Sequence, residues 1–440
     1  MRLNLYRSAA GLLLAALPGL AAAQNLVELV DAARSFDAIV QAARANAQSA
    51  DYRVAQVEAL AKPTLSATVT AGTAQTDPPN TQVRGSNNVN GALNGRYPLF
   101  NRSNDATIEQ ARKSLATAQA DLDAAEQDLL LRVSQAYFDV LGAQDTLGTT
   151  RTSKAATSEQ LASAKRNFEV GTATITDTRE AQARFDLGTA LEIAAENDLR
   201  AKRIALDQLV GRMNVQPRPV LVPLDLAPPL PANPEEWVTV ADQQHPNIRR
   251  ARVALEVAQL EIAKARASGL PTLDAVASIN GGDARGSLPR ASNSSGTTAG
   301  ASIGVQMNWL LYSGGSVSNR IKETQLLEEK SRNDLEAARR GVAQTTRVAY
   351  FNVLSGQAQV KALEAAESSS KLALEATQLG YRVGVRVNLD VLNAQTQLFN
   401  AQRDLAKARY DVLLGGLRLR QAAGQLAPAD IASVNRLLAP

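Results

Sequence analysis

The chain carries one helix–turn–helix pattern twice, and this duplication restricts the possible fold more than any other feature. The first copy is Phe168–Gln182 and the second is Tyr381–Gln395, and the two align without a gap. Each copy has a glycine, Gly171 or Gly384, just past a helical run, and glycine readily adopts the left-handed conformation that ends a helix. An aspartate six residues later in each copy can cap the next helix. The pattern therefore predicts two antiparallel helix hairpins with tight tips.

Long helices are predicted beside both tips. From residue 104 to about 147 there is no proline, and apolar residues recur at three- and four-residue steps. Small alanines at many of these positions are typical of a coiled-coil seam in which helices approach closely. A helix of about 40 residues is roughly 60 Å long, because each residue adds about 1.5 Å. Such a helix must pack along other long helices.

Four shorter stretches, at about 63–72, 89–100, 271–280 and 300–312, alternate apolar and polar residues. Alternation predicts strands with one apolar and one polar face, and the Gly-, Asn- and Ser-rich segments 73–88 and 281–298 between them predict exposed loops. Strands of about ten residues cross a bilayer when tilted. The strands thus predict part of a membrane barrel with a wet interior. Aromatic residues at one end predict its aromatic girdle: Tyr97, Phe100, Trp309 and Tyr312.

Four strands do not close a barrel, and an open sheet edge is not stable in lipid. Several chains must therefore share one barrel. Three chains would supply about twelve strands, an even number that suits an antiparallel barrel, although the pattern alone does not select three. The alternative is a soluble α+β protein in which the two amphipathic hairpins form a sandwich.

The chain divides into five segments. Residues 1–23 are predicted to be a signal peptide, with a basic start, a short apolar stretch and three alanines before Gln24. The first repeat is predicted at 24–214 and the second at 235–425. Between them, the linker 215–234 holds seven prolines and is predicted to be extended. Residues 426–440 are predicted to be a C-terminal tail.

The composition argues against catalytic and nucleic-acid-binding classes. The chain has no cysteine and one histidine, His245, which is expected to cap or pack at a helix start. A metal site or a catalytic triad would need more partners than that. The formal charge is only +4 without a basic cluster, and no phosphate-binding glycine loop is present. We expect no enzyme activity, no metal, no cofactor and no nucleic acid. After residue 23 the sequence contains no run of eighteen apolar residues, so no transmembrane helix is predicted.

The repeated motif resembles that of the TolC-like outer-membrane efflux and secretion proteins. It consists of an aromatic residue, x-Val-Gly, a short turn, Asp and Ala-Gln, and it occurs twice in a chain with an export signal. The resemblance covers essentially the whole mature chain. It implies an α+β membrane protein built from a duplicated helix–β-hairpin–long-helix repeat. Three chains would form one β-barrel, with four strands from each, continuous with a long α-helical barrel in the periplasm.

The same resemblance implies an outer-membrane channel-tunnel of a tripartite efflux pump or a type I secretion system. Its partners would be two further copies, a periplasmic adaptor, an inner-membrane transporter of the RND or ABC type, and outer-membrane lipid. The cargo, whether drugs, other small molecules or proteins, is not specified by the sequence. Two other classes stay open: a passive porin-like channel and a structural periplasmic coiled-coil protein.

The resemblance also implies roles for residues at the tips, which would line the periplasmic entrance. Asp390 matches the entrance aspartate of the family, so three copies would form a carboxylate ring that favours cations. Asn393 stands where the family often has a second aspartate, so a double ring is not implied.

A latch would hold the entrance closed. Tyr381 and Arg386 match the family's latch residues, which bond toward the first tip at Thr176 and Asp177. An ordinary exposed turn arginine is the alternative for Arg386.

Overall fold

The computed structural model describes residues 24–76, 84–224, 227–286 and 296–439. The predicted signal peptide at 1–23 lies outside this range. The elements in chain order are α1 (Leu26–Phe36), α2 (Ala38–Glu58), β1 (Thr64–Thr76), β2 (Arg84–Phe100), α3 (Arg102–Glu169), α4 (Ile175–Val210), α5 (Pro234–Gln244), α6 (Pro246–Ala267), β3 (Thr272–Gly286), β4 (Gly296–Asn308), α7 (Ser316–Arg382), α8 (Asn388–Ala422) and α9 (Pro428–Asn435).

Two long helix hairpins dominate the chain, as the duplicated motif predicts. Helices α3 and α4 form the first hairpin, and α7 and α8 form the second. Helix α3 has 68 residues and α7 has 67. At about 1.5 Å per residue each spans roughly 100 Å. None of the helices in the described part of the chain combines the length and apolar character needed to cross a bilayer.

The four strands form a single antiparallel sheet in the order β1-β2-β3-β4. Its register places apolar residues of all four strands on one face. One row across this face is Ala67, Leu93, Ile279 and Ala301. The adjacent row, on the opposite face, is polar: Ser66, Asn94, Ser278 and Ser302.

The apolar face is uncovered. Val69 is 77% exposed and Ile303 is 90% exposed. Within the described residues no helix packs across the sheet, and there is no second sheet, so the soluble sandwich is wrong. The polar face carries an ion pair in which Arg96 Nη2 lies 2.7 Å from Asp274 Oδ2.

The strands extend into the segments predicted as loops, so the predictions for 73–88 and 281–298 are wrong at their ends. Thr76 pairs with Arg84, and Ala284 pairs with Gly296. Residues 77–83 and 287–295 lie outside the described range. The polar composition of these segments is typical of loops, but a sheet that is exposed on both faces also accepts Thr, Asn and Ser in its strands. At the other end, β4 stops at Asn308 rather than at residue 312.

A belt, which consists of α1, α5, α9 and linker residues 215–224 and 227–233, packs against α3 and α7 near the middle of these long helices. The described residues of the linker, 215–224 and 227–233, contain no helix, whereas the predicted tail contains helix α9. The Tyr137 hydroxyl donates to the Arg218 carbonyl at 3.0 Å and accepts its N–H at 2.8 Å. Tyr350, which occupies the matching position of the second copy, donates from its hydroxyl to the Ala232 carbonyl. The two tyrosines therefore hold opposite ends of the linker.

The largest apolar core lies at this level, where α1, α3, α4 and α8 meet the linker and α9. Two helix caps are formed by ionisable side chains. Asp37 ends α1 and caps α2 by accepting the Val40 N–H at 2.9 Å. His245 caps α6, as expected, because its Nδ1 accepts the Asn247 N–H at 3.1 Å. Burial, with the positive charge of Arg250, lowers the pKa of His245.

Candidate functional site at the hairpin tips

Both tips turn on a left-handed glycine, as predicted. Gly171 has φ 79° and Gly384 has φ 81°. A Cβ atom at either position would meet nothing within 4 Å. The requirement for glycine therefore comes from the backbone conformation and not from crowding.

The aspartates that follow these turns cap the returning helices. Asp177 Oδ2 accepts the N–H of Thr174 at 2.9 Å and its hydroxyl at 2.7 Å, and the Thr174 hydroxyl accepts the Asp177 N–H at 3.2 Å. Asp390 Oδ2 accepts only the Val387 N–H, at 3.4 Å, because valine has no side-chain oxygen to reciprocate. Asp390 is thus the less tightly held of the two carboxylates.

The predicted bond from Arg386 to the first tip is not formed within this chain. Arg386 Nη1 instead lies 3.7 Å from Asp390 Oδ2 in its own tip. The Asp177 carboxylate is already engaged by Thr174, while Thr176 is exposed. The prediction fails in this detail because each charged group has a partner closer in sequence. A bond between different copies stays a prediction.

Tyr381 does bond toward the first hairpin, but to a residue that was not predicted. Its hydroxyl accepts from Asn167 Nδ2 at 3.2 Å. Asn393 also contacts the first hairpin, since its side-chain oxygen accepts from Arg184 Nη2 at 3.1 Å. Its part in an entrance ring is not tested by this contact.

The most buried polar contact between the hairpins involves Asn388, which the sequence analysis missed. Asn388 Nδ2 donates to the Asp177 carbonyl at 3.3 Å, and its Oδ1 accepts from Gln160 Nε2. Asn388 is the first residue of α8 and is 1% exposed. Its match in the first copy is Ile175, which is 50% exposed. This role is not visible in the repeated motif, because the two copies carry different residues at this position.

A small apolar cluster lies directly behind the tips. It joins the first hairpin to α8 and consists of Leu161, Ala164, Ala181 and Leu392. Ala181 is the alanine of the Ala-Gln motif and is fully buried. In the first copy, the alanine of the motif therefore serves close packing of the two hairpins.

The four aromatic residues lie at the end of the sheet nearest the helices. Tyr97 and Phe100 are in the last residues of β2, whereas Trp309 and Tyr312 follow the end of β4. All four are exposed. Trp309 Nε1 donates to the Gly269 carbonyl at 3.2 Å. Their position at one end is as predicted, and their role as a girdle stays a prediction.

No group of three or more His, Cys, Asp or Glu side chains in the described ranges is arranged to hold a metal ion. The tips thus offer carboxylates, amides and an arginine, which are groups suited to hydrogen bonding and ion attraction.

Comparison with known proteins gives consistent matches over most of the chain. A family model described as "Outer membrane efflux protein" matches residues 29–212 and 237–425. The chain is 34% identical over 418 residues to the outer membrane protein TolC of Vibrio cholerae, covering 94% of this chain and 93% of that protein. It is also 34% identical over 351 residues to the alkaline protease secretion protein AprF of Pseudomonas aeruginosa, covering 77% and 70% of the two chains.

Solved structures match the same architecture. CusC superposes with a TM-score of 0.80 at 18% identity, covering 91% of this chain and 92% of that one. The CmeC outer membrane channel of Campylobacter jejuni superposes with a TM-score of 0.78 at 17% identity, covering 94% and 90%.

Proposed function

This chain belongs to the outer membrane efflux protein family, and from this membership we propose that three copies form one export duct through the outer membrane. The protein resides in the outer membrane and serves efflux or secretion, as its family does.

The observation that carries the proposal is the uncovered sheet. Its apolar face is exposed along all four strands, while the opposite face is polar and holds the Arg96–Asp274 pair. The apolar face is suited to contact with lipid, and the polar face is suited to contact with water. Within the described residues, β1 and β4 each have one unpaired edge. Because unpaired edges are costly in lipid, β4 of one copy would pair with β1 of the next until the sheet closes.

The helices support the same assembly. Helix α3 begins two residues after β2 and ends at the first tip, so roughly 100 Å of helix separates the tip from the sheet. Several large apolar side chains on α4 and α7 are exposed in the single chain: Leu187, Leu191, Leu372 and Leu379. Packing against helices of neighbouring copies would bury them in a tube with the tips at its far end.

Delivery of cargo would occur at the tips, where we place a periplasmic adaptor and an inner-membrane transporter of the RND or ABC type. The sequence contains no phosphate-binding loop from which to draw energy, so a partner must drive transport. The relative from Pseudomonas aeruginosa is a protease secretion protein. Secreted proteins are therefore a candidate cargo beside small molecules.

The decisive experiment combines crosslinking in detergent with single-channel recording in planar bilayers. Crosslinked trimers that conduct ions, and that restore efflux or protease secretion to a host lacking its own duct, would support the proposal. Purely monomeric protein would contradict it. A large resting conductance with no effect of any transporter would favour the passive porin-like channel instead.

A further inference from the structure

The contact between Gln160 and Asn388 joins the two hairpins asymmetrically. Asn388 begins the second hairpin's returning helix, whereas both of its partners, the Gln160 side chain and the Asp177 carbonyl, belong to the first hairpin. The matched positions in the other copy are Ala373 for Gln160 and Ile175 for Asn388. Neither alanine nor isoleucine forms side-chain hydrogen bonds. The contact therefore has no counterpart related by the duplication.

Burial makes this contact more consequential than the others at the tips. Asn388 is 1% exposed, whereas the Arg386–Asp390 pair is open to water. A buried amide is stable only while it is hydrogen-bonded, so any shift of one hairpin against the other leaves unpaired polar groups. An exposed ion pair carries no such penalty because water replaces the partner.

We propose that Asn388, held by Gln160, is the positioning residue that sets the second hairpin against the first in the closed state of the entrance. This inference rests on the proposed function, in which the tips line that entrance. The Gln160–Asn388 hydrogen bond, called the clasp below, opposes opening because it must break when the two hairpins move apart. A partner that opens the duct must offset this loss through its own contacts with the open state.

The test uses the full-length assembled protein in planar bilayers, with Asn388→Ala, Gln160→Ala and the double variant. Loss of a buried hydrogen-bonded pair worth about 1.4 kcal/mol would raise the ratio of open to closed states about tenfold. The double variant should add little to Asn388→Ala, because Gln160→Ala removes only a hydrogen bond that Asn388→Ala already lacks.

Gln182→Ala is the matched control. Gln182 is also a glutamine beside a tip, but its side chain bonds to Asp186 on its own helix at 2.9 Å. It should leave opening unchanged. Wild-type opening in both Asn388→Ala and Gln160→Ala would overturn the inference.

Two safeguards keep the outcomes separate. A wild-type protein that does not conduct would contradict the proposed function as a whole and not only the role of the clasp. If Asn388→Ala does not assemble, the Gln160→Ala result decides.

Discussion

The guanidinium of Arg386 lies 3.7 Å from the carboxylate of Asp390, one helical turn away in the same tip. Asp390, which we propose lines the entrance, therefore has a cationic neighbour in its own chain. Because the pair is exposed, it contributes at most about 1 kcal/mol. The carboxylate remains accessible to cations from solution.

Replacing Asp390 with Ala should weaken block of the channel by multivalent cations. Each carboxylate about 4 Å from a bound charge contributes about 1 kcal/mol in water, so the blocking concentration should rise at least about fivefold. Titration of the current with a trivalent cation measures this. Asp198→Ala is the control, because it replaces an exposed aspartate of α4 that lies more than twenty residues along the chain from the tip. An unchanged block curve would remove Asp390 from the constriction.

Substituting Tyr381 with Phe and Arg386 with Ser together should raise resting conductance without lowering trimer yield. The first change removes the acceptor of the Asn167 side chain, and the second removes the partner of Asp390. The hydrogen bond is worth about 0.5 to 1.5 kcal/mol and the exposed pair less. Single-channel recording and antibiotic sensitivity are the measurements. Wild-type conductance in an intact trimer would identify both as ordinary turn residues.

Deleting residues 73–88 should reduce the amount of protein in the outer membrane. The deletion removes paired residues at the ends of β1 and β2, including Thr76 and Arg84, and leaves the end of β3 without its neighbour. Replacing only residues 77–83 with Asn-Gly is the control, since a two-residue turn keeps the Thr76–Arg84 pair. Quantitative blotting of membrane fractions compares them. Equal yields would show that the added strand length is dispensable.

Stability should fall on acidification through Asp37. Burial alone would raise the pKa of Asp37, but the hydrogen bond and charge of Arg132, with the Val40 N–H, outweigh it and lower the pKa below its usual range. The ionised carboxylate therefore stabilises the fold at neutral pH. That contribution is lost as the pH falls through the lowered folded-state pKa.

Asp37→Ala should accordingly cost about 0.5 to 2 kcal/mol at pH 7, the usual value of a helix cap. Urea unfolding across pH gives the comparison, with exposed Asp31→Ala as the control. The difference between wild type and Asp37→Ala should shrink at acidic pH. A difference independent of pH would assign the effect to packing rather than charge.

Local features of the fold were predictable from the sequence. Gly171 and Gly384 ended helices, and the alternation around Leu93 and Ile279 predicted the apolar face, because a single stretch of chain decides these properties. The ends of the strands were not predictable, since part of their pairing, such as Ser86 with Gly286, joins distant parts of the chain. Asn388 was missed for the same reason. Its partner Gln160 lies 228 residues earlier, and no local pattern reports that contact.

The belt has a consequence for the order of folding. The Leu26 N–H donates to Asn435 Oδ1 at 2.9 Å, joining residues 409 apart, and the Leu221 N–H donates to the Leu437 carbonyl at 2.9 Å. Closing such long loops is entropically costly and slow. Leu26 and Leu221 therefore lack these partners until residues 435–437 have been exported. A chain that stops before α9 would lose both of these long-range hydrogen bonds, while Tyr137 and Tyr350 would still hold the linker.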